Sequence, residues 1–152
     1  MTKHARTAAI LATAAASIAL APVAVADTQM SGHYIRTAVN RESGGTMTTH
    51  WYATPCGQGC ASIEICANDK HERCGTAKAS LVDGRWDMQV RVTLVCTDQN
   101  GNPAGEIPGG AIAHYTWDPN TLAGVAETDA DGPECPAVTS AGTVNDFQLK
   151  HA

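Results

Sequence analysis

The sequence predicts an all-β fold: a single antiparallel domain of about eight short strands, closed as an up-and-down barrel or folded as a β-sandwich, and stabilised by disulfides. Three observations carry that expectation. Thr and Val are frequent, and Gly, Pro, Asn and Asp fall between the apolar runs, as they do where strands alternate with turns. No segment after Ala26 sustains the i, i+3, i+4, i+7 apolar spacing of a helix. All 6 cysteines lie downstream of an N-terminal segment with the grammar of a secretory leader.

That leader has a charged start (Lys3, His4, Arg6), an apolar stretch over 8–21 and a small-residue end at Ala24, Val25 and Ala26. The stretch is shorter than the roughly 20 residues a spanning helix needs, and Pro22 interrupts it. Residues 1–26 are therefore expected to be a cleaved signal peptide and 27–152 a single secreted β domain with no transmembrane span. Of 10 basic residues Lys3 and Arg6 leave with the leader, so 8 face 15 acidic ones and the mature net charge is −7. Such a balance argues against nucleic acid and anionic lipid as partners, since both require clustered Lys and Arg.

The strands follow in order. Residues 32–39 and 46–54 read as a hairpin around the turn signal at Ser43, Gly44 and Gly45. After CGQGC at 56–60 comes a short strand over 61–67, then a polar loop closed by Cys74. Residues 76–82 and 85–96 meet across Asp83-Gly84, a dipeptide whose two positions both tolerate positive φ. In the second arm Trp86, Met88, Val90, Val92 and Leu94 share one face, and Arg85, Asp87, Gln89, Arg91 and Thr93 the other. The stretch 97–110 is expected to be a long exposed loop because of its Gly and Pro content. Strands over 111–117 and 122–128, a loop over 129–136 and a last strand over 144–150 complete the chain. Cys74, Trp86 and Cys135 approximate the spacing of an immunoglobulin sandwich, but Cys135 sits among Gly132, Pro133 and Pro136, with no Tyr two residues before it.

Six cysteines allow 15 pairings, and spacing alone does not select one. Local geometry favours Cys56 with Cys60, whose intervening glycines permit a tight turn, and Cys66 with Cys74 across the polar loop. Cys96 and Cys135 remain, and would tie a strand end to the late loop. A redox centre is not expected, because CGQGC lacks the two-residue spacing and the following helix. A zinc site drawn from Cys56, Cys60, Cys66, Cys74, His50 and His71 is not expected either, because thiols outside the cytoplasm oxidise to disulfides.

His33, His50 and His114 each precede an aromatic residue, Tyr34, Trp51 and Tyr115, on predicted strands. Adjacent strand residues point to opposite faces, so interior aromatics put the histidines outside. Solvated side chains are the expectation; a patch that binds metal or titrates is the alternative. Tyr34, Trp51, Trp86, Tyr115, Trp117 and Phe147 are expected to form the core, with an apolar ligand pocket as the alternative. No Gly-x-Ser-x-Gly is present, and Asp87, Asp118, Asp129 and Asp131 read as turn or surface carboxylates. No residue is assigned to catalysis, to a cofactor or to a metal.

The motifs TPCGQGCA (54–61), LVDGRW (81–86), YTWDPNTLAG (115–124) and FQLK (147–150), in this order after a leader, resemble a group of small, largely uncharacterised secreted mycobacterial proteins. The resemblance covers most of the mature chain and implies a secreted, disulfide-bonded β domain, with no activity or site residue to transfer. EICANDKHERCG, which holds Cys66 and Cys74, departs from shorter relatives. Gly32-x-Tyr34 is also similar, over those positions alone, to the Gly-x-Trp first strand of lipocalin-like barrels.

The expected function is that of a secreted, non-enzymatic domain, extracellular or in the cell wall. As a monomer it would bind a partner, not identified by the sequence, in the envelope or outside the cell. A small apolar-ligand carrier with a lipocalin-like barrel and a purely structural secreted protein are the alternatives.

Overall fold

The computed structural model describes residues 29–131, 135 and 142–152. The predicted leader and most of the 129–136 loop lie outside them. Eight strands, β1 (Gly32–Asn40), β2 (Thr46–Gly57), β3 (Cys60–Cys66), β4 (Gly75–Val82), β5 (Arg85–Thr97), β6 (Pro103–Trp117), β7 (Ala123–Ala130) and β8 (Thr143–His151), pair in sequence order and close into one barrel. All pairings are antiparallel, and β1 closes the barrel on β8 with Ala38 opposite Phe147. Closure removes the free edges a sandwich would carry, and the fold is the up-and-down barrel.

Alternation sets which side chains fill it. On β5, Trp86, Met88, Leu94 and Cys96 are buried and Val90 and Val92 half-buried, while Arg85, Gln89, Arg91 and Thr93 are exposed. The interior holds Tyr34, Trp51, Trp86, Tyr115, Trp117 and Phe147 together. Ala53, Ala61, Ala79, Ala113 and Ala126 also face in, and these small side chains leave room for the three indoles in a barrel just wide enough for side chains to fill.

Turn chemistry joins the strands as the sequence leads one to expect. Asp83 and Gly84 both take positive φ, 49° and 79°, which matches the turn twist to the strand twist. The Asn40 side-chain oxygen accepts from the backbone N–H of Glu42 and Ser43 at 3.0 and 2.8 Å. In WDPNTLAG, the Asp118 carboxylate accepts from the N–H of Asn120 and Thr121, both at 2.8 Å. Leu122 follows at φ 59°, in the turn rather than in the strand predicted from it, and packs against the core. Two residues on, Gly124 has no room for a side chain: a Cβ there would lie 2.5 Å from the Phe147 ring and from the Thr116 carbonyl oxygen.

The stretch 97–110 departs from expectation. Only residues 98–102 turn, with the Asp98 carboxylate holding the N–H of Asn100 and Asn102. From Pro103 the chain is already strand, with Gly105 opposite Cys96 and Ile107 opposite Leu94. Pro103 stands at the first strand position, where the missing N–H costs least. Between Ile107 and Ala111 the register shifts, so Pro108, Gly109 (φ 66°) and Gly110 form a bulge. The punctuation residues thus bend a long strand rather than interrupt it.

Cys56–Cys60 crosses the β2–β3 turn, Cys66–Cys74 clips the polar loop, and Cys96–Cys135 ties the end of β5 to the segment after β7. All six cysteines are bonded.

Candidate functional site

Two groupings of polar side chains stand out, one on each side of the barrel wall. On the outside, β1 and β2 pair with His33 opposite Tyr52 and Ile35 opposite His50. Because Tyr34 and Trp51 point in, His33, His50 and Tyr52 all point out. His33 and His50 are diagonal neighbours, and His33 Nε2 lies 2.9 Å from His50 Nδ1. Tyr52 stacks on His33 with ring centres 4.3 Å apart and 16° between planes. His71, which the clipped loop brings back over β2, stacks on Tyr52 at 4.1 Å and 22°. Two rings stacked so closely on one phenol occupy its opposite faces, so the order is His50, His33, Tyr52, His71.

His71, at one end of this row, and Tyr52 beside it are also held. His71 Nδ1 is 3.5 Å from a Glu64 carboxylate oxygen, and the Tyr52 hydroxyl donates to the Asp69 carbonyl at 3.4 Å. Burial, followed by His50 and His71, depresses the His33 imidazole below its ordinary value, against the opposing pull of Asp69. The ring carrying the most neighbours is therefore biased towards its neutral form, the one with a free lone pair.

The sequence pattern singled out His33, His50 and His114, and the structure unites only the first two. His114 stands on β6, where its Nε2 meets Asp87 Oδ2 at 2.5 Å. Glu64, Cys66, His71 and Cys74 cluster closely enough to suggest a metal centre. Cys66 and Cys74 are bonded to each other, however, so they supply no thiolate. Of the remaining carboxylates, Asp118 caps its turn and Asp131 pairs with Arg91 at 2.6 Å.

On the inside is a residue the sequence reading passed over. Arg36 is 2% exposed, and its guanidinium faces Phe147, Tyr115 and Trp51 at 4.9, 5.3 and 5.9 Å from the ring centres. Its position midway between Tyr34 and Ala38 on the inward parity of β1 was the available signal. Burial lowers the Arg36 guanidinium and raises the Tyr115 phenol from their usual values, and each partly offsets the shift of the other. Among the described residues, Arg36 Nε, Thr49 Oγ1, Trp51 Nε1 and Trp117 Nε1 are buried without a hydrogen-bond partner, and all four can donate.

The interior rings touch one another. Trp51 lies 5.4 Å from Tyr115, 5.5 Å from Trp117 and 5.8 Å from Phe147 between ring centres. Trp51 and Trp117 have 0% accessible area, so no space large enough for water adjoins either indole. An open groove of about 420 Å³ runs instead along the outer wall at β1 and β8, past Thr37, Val39, Gln148 and Lys150. Among the described residues no helix is long and apolar enough to cross a membrane.

The chain matches no protein-family model, no curated protein and no solved structure.

Proposed function

We propose that this chain is a secreted, non-enzymatic binding domain that works in the cell envelope or outside the cell, through its outer wall and loops rather than its interior. The observation that carries the reading is the complete pairing of the cysteines around a closed barrel, an arrangement suited to an oxidising compartment. Among the described residues the interior brings aromatic rings and Arg36 into contact with one another, which favours recognition on the outside. Membership of the small secreted mycobacterial group belongs to the same proposal. PCGQGC supports it by building a disulfide-bridged turn, and WDPNTLAG by building a carboxylate-capped turn that ends on a glycine with no room for a side chain.

Carriage of a small apolar ligand is the second reading, favoured by the eight-stranded closed barrel itself. The contact between the indoles weighs against it. Intact mass spectrometry under native conditions, on protein recovered from culture medium, separates the two. The expected species begins at Asp27, has the mass of three disulfides and carries no small molecule. Free thiols or an uncleaved leader would remove the compartment argument, and a retained apolar molecule would favour carriage.

A further inference from the structure

We infer that His33 and His50 form a chelating pair for a borderline divalent cation, of the zinc, copper or nickel type, on the outer wall of the barrel. His33 Nε2 and His50 Nδ1 approach to 2.9 Å. Two neutral imidazoles at that distance share one hydrogen bond; once the donating ring has passed its proton through solvent to its other ring nitrogen, both facing nitrogens present lone pairs that a cation accepts. Zinc–nitrogen bonds of about 2.0–2.1 Å at a tetrahedral angle put two ligand nitrogens roughly 3.3 Å apart. The pair therefore needs to open by a few tenths of an ångström, and because ring centres 5.2 Å apart put the two nitrogens nearly in line, each ring must also tilt by roughly 35° to aim its lone pair at a shared ion.

Rigidity is already in place. His33 is pinned by its stack on Tyr52, Tyr52 is pinned in turn by His71, and β1 and β2 hold the register between His33 and His50. A chelate whose rings are held before the ion arrives loses little side-chain freedom on binding. Asp69 exerts a favourable negative field on His33, which lowers the cost of bringing a dication to it. Both histidines are half-buried, so the pair keeps some contact with solvent.

The donor set selects the ion class. Imidazole suits zinc, copper and nickel, and affinity for an all-nitrogen pair rises towards copper. The oxidised state of Cys66 and Cys74 removes the softer competing donors next to His71. His71 itself lies beyond Tyr52, too far to join the same ion, and it acts here as a positioning residue.

Calorimetric titration of the full, disulfide-bonded chain with zinc chloride, and separately with copper sulfate, tests it. One equivalent is expected to bind, with His33→Ala and His50→Ala each weakening affinity at least tenfold and His114→Ala changing it less than twofold. Imidazole NMR signals supply a second readout: zinc is expected to shift the ring resonances of His33 and His50 and to leave those of His114 in place. Metal-free melting temperatures for the variants check that the barrel is intact. Unchanged affinity in the His33→Ala plus His50→Ala variant, loss of binding with His114→Ala, or zinc shifts confined to other histidines would overturn the proposal.

Discussion

The guanidinium of Arg36 lies 4.9 Å from the centre of the Phe147 ring, the closest of three aromatic rings that it faces inside the barrel. A cation over aromatic faces gains about 0.5–2 kcal/mol, whereas removing a charge from water costs several kcal/mol per ion even after relaxation. Arg36 is thus held in place against its own hydration. Arg36→Met, which keeps most of the volume and removes the charge, is expected to match or exceed the parent in stability. Arg36→Ala, which leaves a void among the rings, is expected to lose about 2–4 kcal/mol. Urea midpoints with the disulfides intact decide the matter. A loss above about 2 kcal/mol in Arg36→Met would mean that the interior donors serve an acceptor, which would turn them into a binding site.

Gly124 has no space for even one carbon. A Cβ there meets the Phe147 ring and the Thr116 carbonyl at 2.5 Å and the Trp117 Cβ at 2.6 Å. Gly124→Ala is expected to cost about 3 kcal/mol, the upper part of the range for overpacking. Phe147→Leu, which removes the outer ring atoms, is expected to return part of that loss when combined with it. Chemical unfolding of the four members of a double-mutant cycle measures this coupling, and strict additivity would show that the clash lies with the Thr116 carbonyl and the Trp117 Cβ rather than with the Phe147 ring.

Asp118 makes the protein sensitive to acid at one identifiable turn. The N–H groups of Thr121 and then Asn120 hold its carboxyl below the ordinary carboxylate value. The folded chain then binds that proton less readily than the unfolded one, so the turn's contribution is complete above the unfolded value, about pH 4, and fades as pH falls through the lower folded value. Asp118→Asn keeps an acceptor oxygen but does not titrate. Its stability is expected to fall less steeply than the parent's between about pH 4 and pH 2. Equal slopes in thermal melts over that window would assign the acid sensitivity elsewhere.

The parts of the fold that could be read from the residues are those settled locally. The alternation from Trp86 to Leu94 tells one wall position from the next, and Asp83-Gly84 needs no distant partner to form its turn. Residues 103–110 carry the Pro and Gly of a loop yet form strand, because such a strand is recognisable only from its partner, here the long tail of β5. The outward face of His33 and His50 followed from parity, but their meeting depends on the offset between β1 and β2, which no local signal encodes. Arg36 was missed for another reason: a charge on an inward position contradicts composition rules, and only the three surrounding rings explain how it is tolerated.

The pairing of Ala38 with Phe147 also governs when this protein can finish folding. The first and last strands meet across nearly the whole domain, so a chain that emerges or is threaded from its N-terminus must wait for its final residues before the wall can close. Until then β1 presents an unpaired edge to every other chain nearby. A truncation before β8 would therefore leave two such edges rather than a slightly smaller barrel, and the expected fate of that fragment is aggregation.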